Sequence, residues 1–185
     1  MRVIGGISRG SKLFSLEGEN TRPTLDRVKE SLFNIIQNEL SESIVLDLFA
    51  GSGALGIEAL SRGASFVTFV DNSKDAVDII RKNIEKTKFN SKSEILNSDF
   101  KSALERNKNK KYDLIFLDPP YKTNFIVESI ELIIEYNILA DNGTVILETD
   151  IEKEILQKLN LININVVDIR KYGRASLIFV NGRGK

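Results

Sequence analysis

The feature that most constrains the fold of this chain is the stretch 44–56, where an apolar run passes directly into a glycine turn. One carboxylate, Asp47, interrupts residues that are typical of a buried strand: Ile44, Val45, Leu46, Leu48 and Phe49. Gly51 and Gly53 can adopt positive φ and place no side chain between the backbone and a ligand. Residues 54–62 then have a helical composition. A strand, a tight turn and a helix N-terminus predict a pocket for a nucleotide-like ligand at the carboxyl end of the strand.

Three interpretations of this turn are open at this point. Residues 51–56 match G-x-G-x-x-G, and Asp71 lies near the offset at which a dinucleotide fold keeps its ribose-binding acid. The pattern of S-adenosylmethionine-dependent methyltransferases fits better than the dinucleotide pattern. It has an acid in the first strand, followed here by Phe49, Ala50 and Gly51-Ser52-Gly53. A turn that only reverses the chain is the least favoured, because it explains neither the buried acid nor the second acid after the next strand.

The remaining chain predicts alternating strands and helices. Residues 1–16 indicate a small hairpin or extended arm, and a helix with Thr24 as its N-cap follows, with apolar residues at helical spacing over 25–36. Further strands are predicted at 66–70, 92–97, 112–117 and 144–147, and further helices at 75–88, 124–136 and 151–159. A closing hairpin turns about Tyr172 and Gly173 and joins residues 162–169 to 175–180.

This alternation implies a parallel sheet covered by helices on both faces. The final strand pair has no helix between its members, so the last strand is antiparallel, which is common in adenosylmethionine folds and uncommon in dinucleotide folds. The sequence therefore predicts an α/β chain with a Rossmann-like class I methyltransferase fold, in which a seven-stranded, mostly parallel sheet carries an N-terminal arm and helix. At 185 residues, we expect a single domain over residues 1–185.

Composition excludes several kinds of chemistry. The chain has no cysteine and no histidine, which removes disulfides, thiolate metal sites, imidazole catalysis and most zinc chemistry; we expect no metal site. No apolar run is long enough to span a bilayer or to resemble a signal peptide, so we expect a cytoplasmic protein and no membrane partner.

Charge indicates that any contact with nucleic acid is local. Lys plus Arg equal Asp plus Glu at 26 each, so no global positive field draws the chain to a polyanion. Basic residues are nevertheless grouped near both ends: Arg2, Arg9, Lys12, Arg22, Arg27, Lys29, Arg170, Lys171 and Arg174. Ordinary solvated charges are the alternative interpretation of these groups.

A second chemical motif, Asp118-Pro119-Pro120-Tyr121, follows the strand predicted at 112–117. Two prolines end the strand and stiffen the backbone, which fixes where the Asp118 carboxylate points. The alternative interpretation is that the two prolines only stiffen the chain after the strand and that the tetrad binds no ligand. The tetrad is expected beside the glycine turn, where Tyr121 can stack on a base while Asp118 and the Pro119 carbonyl accept the N–H groups of an exocyclic amine.

With both motifs and the N-terminal residues in view, the chain resembles the RsmD family, bacterial methyltransferases of guanine N2 in small-subunit ribosomal RNA. The residues that carry the resemblance are Gly5-Gly6, Arg9-Gly10, Lys12-Leu13, Arg22-Pro23-Thr24, Asp26-Arg27-Val28, Glu30, Leu32-Phe33, Asp47, the run 49–60 and the tetrad. Many members have Phe where this chain has Tyr121, and Glu is frequent where it has Asp71. Both exchanges preserve the stacking or hydrogen-bonding role.

The resemblance implies S-adenosylmethionine as cofactor and S-adenosylhomocysteine as product. It places Asp47 and the turn residues Phe49, Gly51, Ser52 and Gly53 at the methionine and sugar part, and Asp71 at the ribose hydroxyls. Asp99 and Phe100 would lie at the adenine, and Arg22 and Thr24 near the cofactor's tail. Arg9, Lys12, Arg27 and Arg174 become candidate contacts to 16S ribosomal RNA, within an assembled or assembling small subunit, and we expect a monomer.

Three further hypotheses compete with guanine-N2 methylation. The same tetrad also serves adenine N6 in DNA, although 185 residues leave little room for a separate target-recognition region. A non-catalytic nucleotide or RNA-binding module predicts that Asp118→Ala changes no measurable property. A dehydrogenase is the least favoured, because the chain has no substrate domain.

Overall fold

The computed structural model describes residues 1–16, 23–119 and 124–181, with the backbone alone for residues 23–26. Seven strands form one mixed sheet with helices, as predicted. The chain divides into two compact units, residues 1–99 and residues 100–185.

The first unit contains three parallel strands in the order β3-β2-β1. They are β1 (Ile44–Asp47), β2 (Phe66–Asp71) and β3 (Ser93–Asn97), and the helices of this unit are α1 (Pro23–Ile35), α2 (Ala54–Ser61) and α3 (Lys74–Thr87). Val77, Ile80 and Ile84 of α3 are buried, as their helical spacing predicts. The β2 residues 67–70 are all buried, which is the near-continuous apolar pattern of a parallel strand covered on both faces.

The second unit contains four strands in the order β4-β5-β7-β6. Its elements are α4 (Phe100–Arg106), β4 (Tyr112–Leu117), α5 (Phe125–Glu135), β5 (Leu139–Thr149), α6 (Glu152–Leu161), β6 (Asn165–Tyr172) and β7 (Ala175–Asn181). β4 and β5 are parallel, whereas β7 is antiparallel to both β5 and β6. The predicted closing hairpin is confirmed, since Tyr172 pairs with Ala175 across a turn in which Gly173 has φ +65°.

The N-terminal arm, residues 1–16, forms the small hairpin that the sequence predicts. Arg2 and Lys12 face each other in an antiparallel bridge. The Val3 N–H donates to the Ser11 carbonyl at 3.0 Å, and the Leu13 N–H donates to the Met1 carbonyl at 3.0 Å. Val3 and Leu13 are buried, so each limb of the arm contributes one apolar side chain to the first unit.

The predicted start of α1 is wrong by two residues, since an N-cap at Thr24 would make Leu25 the first helical residue. The helix begins at Pro23, so Thr24 is its second residue rather than its N-cap. Proline suits the first helical position because its φ is preset and the missing N–H has no intrahelical acceptor there.

Two elements of the second unit differ from expectation. Helix α4 was not predicted, because only Phe100, Ala103 and Leu104 are apolar in a short segment of charged and polar residues. Strand β5 begins at Leu139, before the predicted 144, because the turn-forming sequence Asp-Asn-Gly at 141–143 lies within the strand as an irregularity of its register with β4.

Candidate functional site

The glycine turn lies between β1 and α2. Gly51 and Gly53 have φ of +53° and +78°, and the Gly53 N–H closes the turn on the Ala50 carbonyl at 2.7 Å. β1 ends at Asp47, so Leu48 and Phe49 belong to the turn and not to the strand. A side chain at Gly53 would be strained by the left-handed backbone, which explains the glycine there.

The third glycine of the motif has a packing role. A Cβ placed on Gly56 would lie 2.3 Å from Cε1 of Phe69 and 2.8 Å from Cγ1 of Val67. Helix α2 therefore packs against β2 at a distance that only glycine permits. This is the close helix–strand contact that the third glycine of such motifs provides.

Asp47 is a buried carboxylate at the end of β1. It is 2% exposed, and its Oδ2 accepts the Gly56 N–H at 3.1 Å. Burial raises the pKa of Asp47 to about 7; the Gly56 N–H acts in the opposite direction, and the negative charge of Asp71 raises it further. Near neutral pH this acid is poised between its two forms, so a ligand that brings a cation or hydrogen-bond donors would favour the ionised form.

Asp71 holds the turn from the end of β2. Its Oδ2 accepts the Gly51 N–H at 2.8 Å, and its Oδ1 accepts the Ser73 N–H at 2.8 Å. Each carboxylate oxygen has a second lone pair, so Asp71 can accept a ribose hydroxyl while it keeps both backbone contacts. The anchoring of the turn by Asp71 is an additional role that the sequence did not indicate.

Asn83 joins the glycine turn to the N-terminal arm. This side chain of α3 is fully buried, and its Nδ2 donates to the carbonyls of Ser52 and Phe14, each at 2.9 Å. Its Oδ1 accepts the Phe14 N–H at 2.7 Å. Sequence reasoning missed Asn83, although a polar residue on the apolar stripe of α3 was a usable signal.

Glu58 fixes the other end of the arm to α2. Its carboxylate has no exposed surface and accepts the N–H groups of Ile4 at 2.7 Å and Gly5 at 2.8 Å. Arg62 and Lys29 pair with it at 2.8 and 3.4 Å. The sequence signal that was overlooked is a single acid in a helix, α2, that is otherwise apolar up to Ser61, since a buried carboxylate requires partners of this kind.

The two residues expected at the adenine lie in different surroundings. Asp99 follows β3 and is exposed, whereas Phe100 begins α4 and is 7% exposed. The Phe100 ring packs against Phe125, with 4.9 Å between ring centroids.

Only part of the tetrad falls within the described residues. Asp118 follows β4 and is exposed, and Pro119 is buried. Pro120, Tyr121 and Arg22 lie outside the described residues, as does the side chain of Thr24.

The four predicted RNA-binding residues are exposed. Arg9 and Lys12 lie in the arm, Arg27 lies on α1, and Arg174 lies in the turn between β6 and β7.

The described residues provide neither a metal-binding cluster nor a membrane-spanning helix. None of their His, Cys, Asp and Glu side chains form a group of three that could hold a metal ion. None of the helices in the described part of the chain is long and apolar enough to cross a membrane.

Comparison with known proteins gives similarity along the whole chain. A family model described as "Conserved hypothetical protein 95" matches residues 1–181. A protein of Haemophilus influenzae named "Ribosomal RNA small subunit methyltransferase D" is 40% identical over 162 residues, which cover 86% of this chain and 84% of that protein. A Bacillus subtilis protein named "Putative rRNA methyltransferase YlbH" is 37% identical over 188 residues, with 100% of both chains covered.

A solved structure extends the similarity to three dimensions. The structure described as "Putative methyltransferase yhhF from Escherichia coli" matches with a TM-score of 0.84 and 31% identity, covering 100% of this chain and 99% of that chain. The likeness therefore includes the arm, the glycine turn and the strands of both units.

Proposed function

Because the chain belongs to the RsmD family, we propose that it transfers a methyl group from S-adenosylmethionine to the exocyclic N2 amine of a guanine in 16S ribosomal RNA. The observation that carries the proposal is the buried Asp47 carboxylate, in hydrogen-bond contact with the helix that follows the glycine turn. Burial disfavours the ionised form of this acid, so a ligand that supplies positive charge or hydrogen-bond donors would stabilise that form. A nucleoside with an amino-acid tail supplies both.

The cofactor brings an electrophilic methyl group on a sulfonium. In the proposed arrangement Asp47 and the turn residues Phe49, Gly51, Ser52 and Gly53 hold its methionine and sugar part, and Asp71 accepts the ribose hydroxyls. Asp99 and Phe100 contact the adenine, and Arg22 and Thr24 lie near the tail. S-adenosylhomocysteine is the product.

The tetrad orients the amine that is methylated. Asp118 and the Pro119 carbonyl accept its two N–H groups, Pro120 stiffens the strand exit, and Tyr121 stacks on the guanine. Acceptors that hold the hydrogens out of plane turn the nitrogen lone pair toward the methyl group, and alignment of this kind contributes roughly 7–11 kcal/mol in well-oriented reactions. The nitrogen becomes acidic once alkylated, so proton loss follows transfer without a strong base.

RNA contacts in the proposal come from Arg9, Lys12, Arg27 and Arg174. A guanine within a helix cannot reach the tetrad, so the base must be unpaired or flipped, at a cost of a few kcal/mol. The proposed substrate is 16S ribosomal RNA in an assembled or assembling small subunit in the cytoplasm, with the enzyme acting as a monomer.

The test combines transfer assays with product analysis. The purified chain is incubated with methyl-labelled S-adenosylmethionine and either bare 16S RNA, undermodified small subunits or a DNA oligonucleotide, and the nucleosides are identified by mass spectrometry. We expect one N2-methylguanine per subunit. Methylated adenine in the DNA would show that the target is adenine in DNA and not guanine in RNA. If calorimetry detects no binding of S-adenosylmethionine or S-adenosylhomocysteine, the proposal is refuted.

Asp118→Asn separates orientation of the amine from cofactor binding. We expect kcat to fall by about 10² or more, because a misplaced amine loses the alignment that drives transfer, while the cofactor Kd stays within about twofold. Asp150→Asn, an exposed acid after β5, is the matched control and should leave kcat unchanged. Equal rates for the two variants would contradict the role given to Asp118.

A further inference from the structure

A cavity of about 550 Å³ lies in the first unit beside the N-terminal arm. Its lining comes from the arm, from α1 and from the residue that caps the C-terminus of α2. Four arginines and one acid contribute its charge: Arg2, Arg9, Arg27, Arg62 and Glu30. The lining thus combines four positive charges with one negative charge in a chain whose net charge is zero, and we call this cavity the arm pocket.

Arg62 is held in place before any ligand arrives. Its side chain is 16% exposed, and its Nε donates to the buried Glu58 at 2.8 Å. Its Cζ lies 5.4 Å from the centroid of the Phe33 ring. A guanidinium carries five N–H donors in a planar fork, and the Glu58 contact uses the one on Nε.

Gly5 keeps the guanidinium plane of Arg62 at the wall of the pocket. A Cβ on Gly5 would lie 2.6 Å from Arg62 Cζ and 2.7 Å from Nη2, so any side chain at this position would displace the arginine. The Gly5 N–H also donates to Glu58 at 2.8 Å. The same carboxylate therefore fixes both the arm and the arginine.

The exposed arginines have no acid partner among the described residues. The ion pairs of the described residues include none with Arg2, Arg9 or Arg27. Arg2 is held through its main chain instead, since its carbonyl accepts from Lys29 Nζ at 2.6 Å. The side chains at the open side of the pocket are thus available to an anion.

We propose that the arm pocket binds a phosphodiester group of the RNA substrate, with Arg62 as its rigid donor and Arg2, Arg9 and Arg27 as its mobile ones. This inference rests on the proposed function. Guanidinium groups match the oxygens of a phosphate in pairs. The pocket adds Arg2 and Arg62 to the RNA contacts already proposed, and it gives Arg9 and Arg27 a common ligand.

The experiment measures binding of a fluorescein-labelled single-stranded RNA oligonucleotide by anisotropy over a range of salt concentrations. The exposed arginines allow substitution without loss of a buried contact, so Arg2→Gln, Arg27→Gln and the double variant are compared with the unchanged chain. We expect each single variant to weaken binding about threefold to tenfold and to reduce the steepness of the log–log salt dependence by about 0.7, the value for one contact to a single strand. Lys82→Gln on the exposed side of α3 is the control and should stay within twofold.

An RNA affinity and salt slope of the double variant equal to those of Lys82→Gln would overturn the inference. Calorimetric binding of inorganic phosphate, together with RNA binding that the substitutions leave unchanged, would assign the pocket to a small anion and would also overturn it. Titration with S-adenosylmethionine keeps the two proposals apart. If the protein binds the cofactor and the arginine substitutions do not change RNA binding, only the role of the arm pocket is refuted. If the arginines are needed for RNA binding but the protein does not bind the cofactor, the proposed function is refuted.

Discussion

Asp47 links protonation to stability in the free protein. Burial raises the pKa of Asp47 from 3.8 to about 7, so between those values the folded chain holds a proton that the unfolded chain has lost. Stability conferred by this group is therefore greatest below pH 4 and decreases as the pH rises toward 7, by on the order of 1 kcal/mol per pH unit.

We expect Asp47→Asn to remove this contribution. Relative to the unchanged chain, the variant should gain stability as the pH rises from 5 to 8, because an amide fills the same space without a buried charge. Urea denaturation at both pH values measures the difference. If the stability difference between the two proteins does not change with pH, Asp47 is already ionised in the free protein.

Cofactor affinity should also depend on the protonation of Asp47, but it should increase with pH, whereas the stability contribution decreases. If donors of S-adenosylmethionine bind the ionised Asp47, binding releases the proton, and affinity should fall by up to about tenfold per pH unit below 7. Calorimetry at pH 6 and pH 8 in buffers of different ionisation enthalpy detects the released proton. Asp47→Asn should bind more weakly at pH 8 and lose most of this pH dependence, and an unaltered pH profile in the variant would refute the linkage.

The structural positions of some candidate site residues could be predicted because their signal is local. Asp47, Gly51, Gly53 and Asp71 lie at strand ends and in a turn whose spacing is visible in the sequence. Glu58 and Asn83 were missed because their partners lie far away in the chain; Glu58 meets Ile4 over 54 positions, and Asn83 meets Phe14 over 69. A polar residue at a buried position indicates that hydrogen-bond partners are present, but the sequence does not identify them.

At the scale of elements, Asn83 makes the docking of the arm and the shape of the glycine turn interdependent. We expect Asn83→Ala to cost about 1–3 kcal/mol of stability, because it leaves the buried carbonyl of Ser52 and the partly buried backbone groups of Phe14 without their hydrogen-bond partner. The arm should become more sensitive to trypsin at Arg9 and Lys12, and cofactor affinity should fall as the turn loosens. Urea denaturation, timed proteolysis and calorimetry measure these three effects.

Lys82→Ala is the matched control for this prediction, since Lys82 is exposed on the same helix. Its cost should stay within about 0.5 kcal/mol. An Asn83→Ala variant whose arm resists trypsin as well as this control does would show that the Glu58 contacts and the buried Val3 and Leu13 hold the arm without Asn83.

The order of elements was predictable because alternating strands and helices leave few topologies for a parallel sheet. The Rossmann-like fold class, the antiparallel β7 and the family are confirmed. Helix α4 and the early start of β5 were not predicted, since tertiary contacts decide them. Phe100 packs on Phe125, and the segment 139–143 lies in a strand despite its turn-forming residues.

At the scale of the whole molecule, balanced charge limits how much electrostatics can contribute to RNA binding. With 26 basic and 26 acidic residues, only a few phosphates can be contacted at once, so we expect the log–log salt slope for a single-stranded RNA to have a magnitude of about 2–4. Anisotropy between 50 and 300 mM salt measures it, with Arg174→Gln as a variant from the second unit. A slope steeper than about 6 would require a continuous basic surface.

Helix α2 is only two turns long, yet it touches both the glycine turn and the arm. Its first residues follow Gly53, while Glu58 and Ser61 near its end bind the backbone of the arm. At 1.5 Å per residue, a helix of this length separates the glycine turn from the arm contacts by about 12 Å. One residue inserted into α2 would rotate the arm by about 100° around the helix axis relative to the glycine turn, so the length of this helix fixes both the distance and the direction from the turn to the arm.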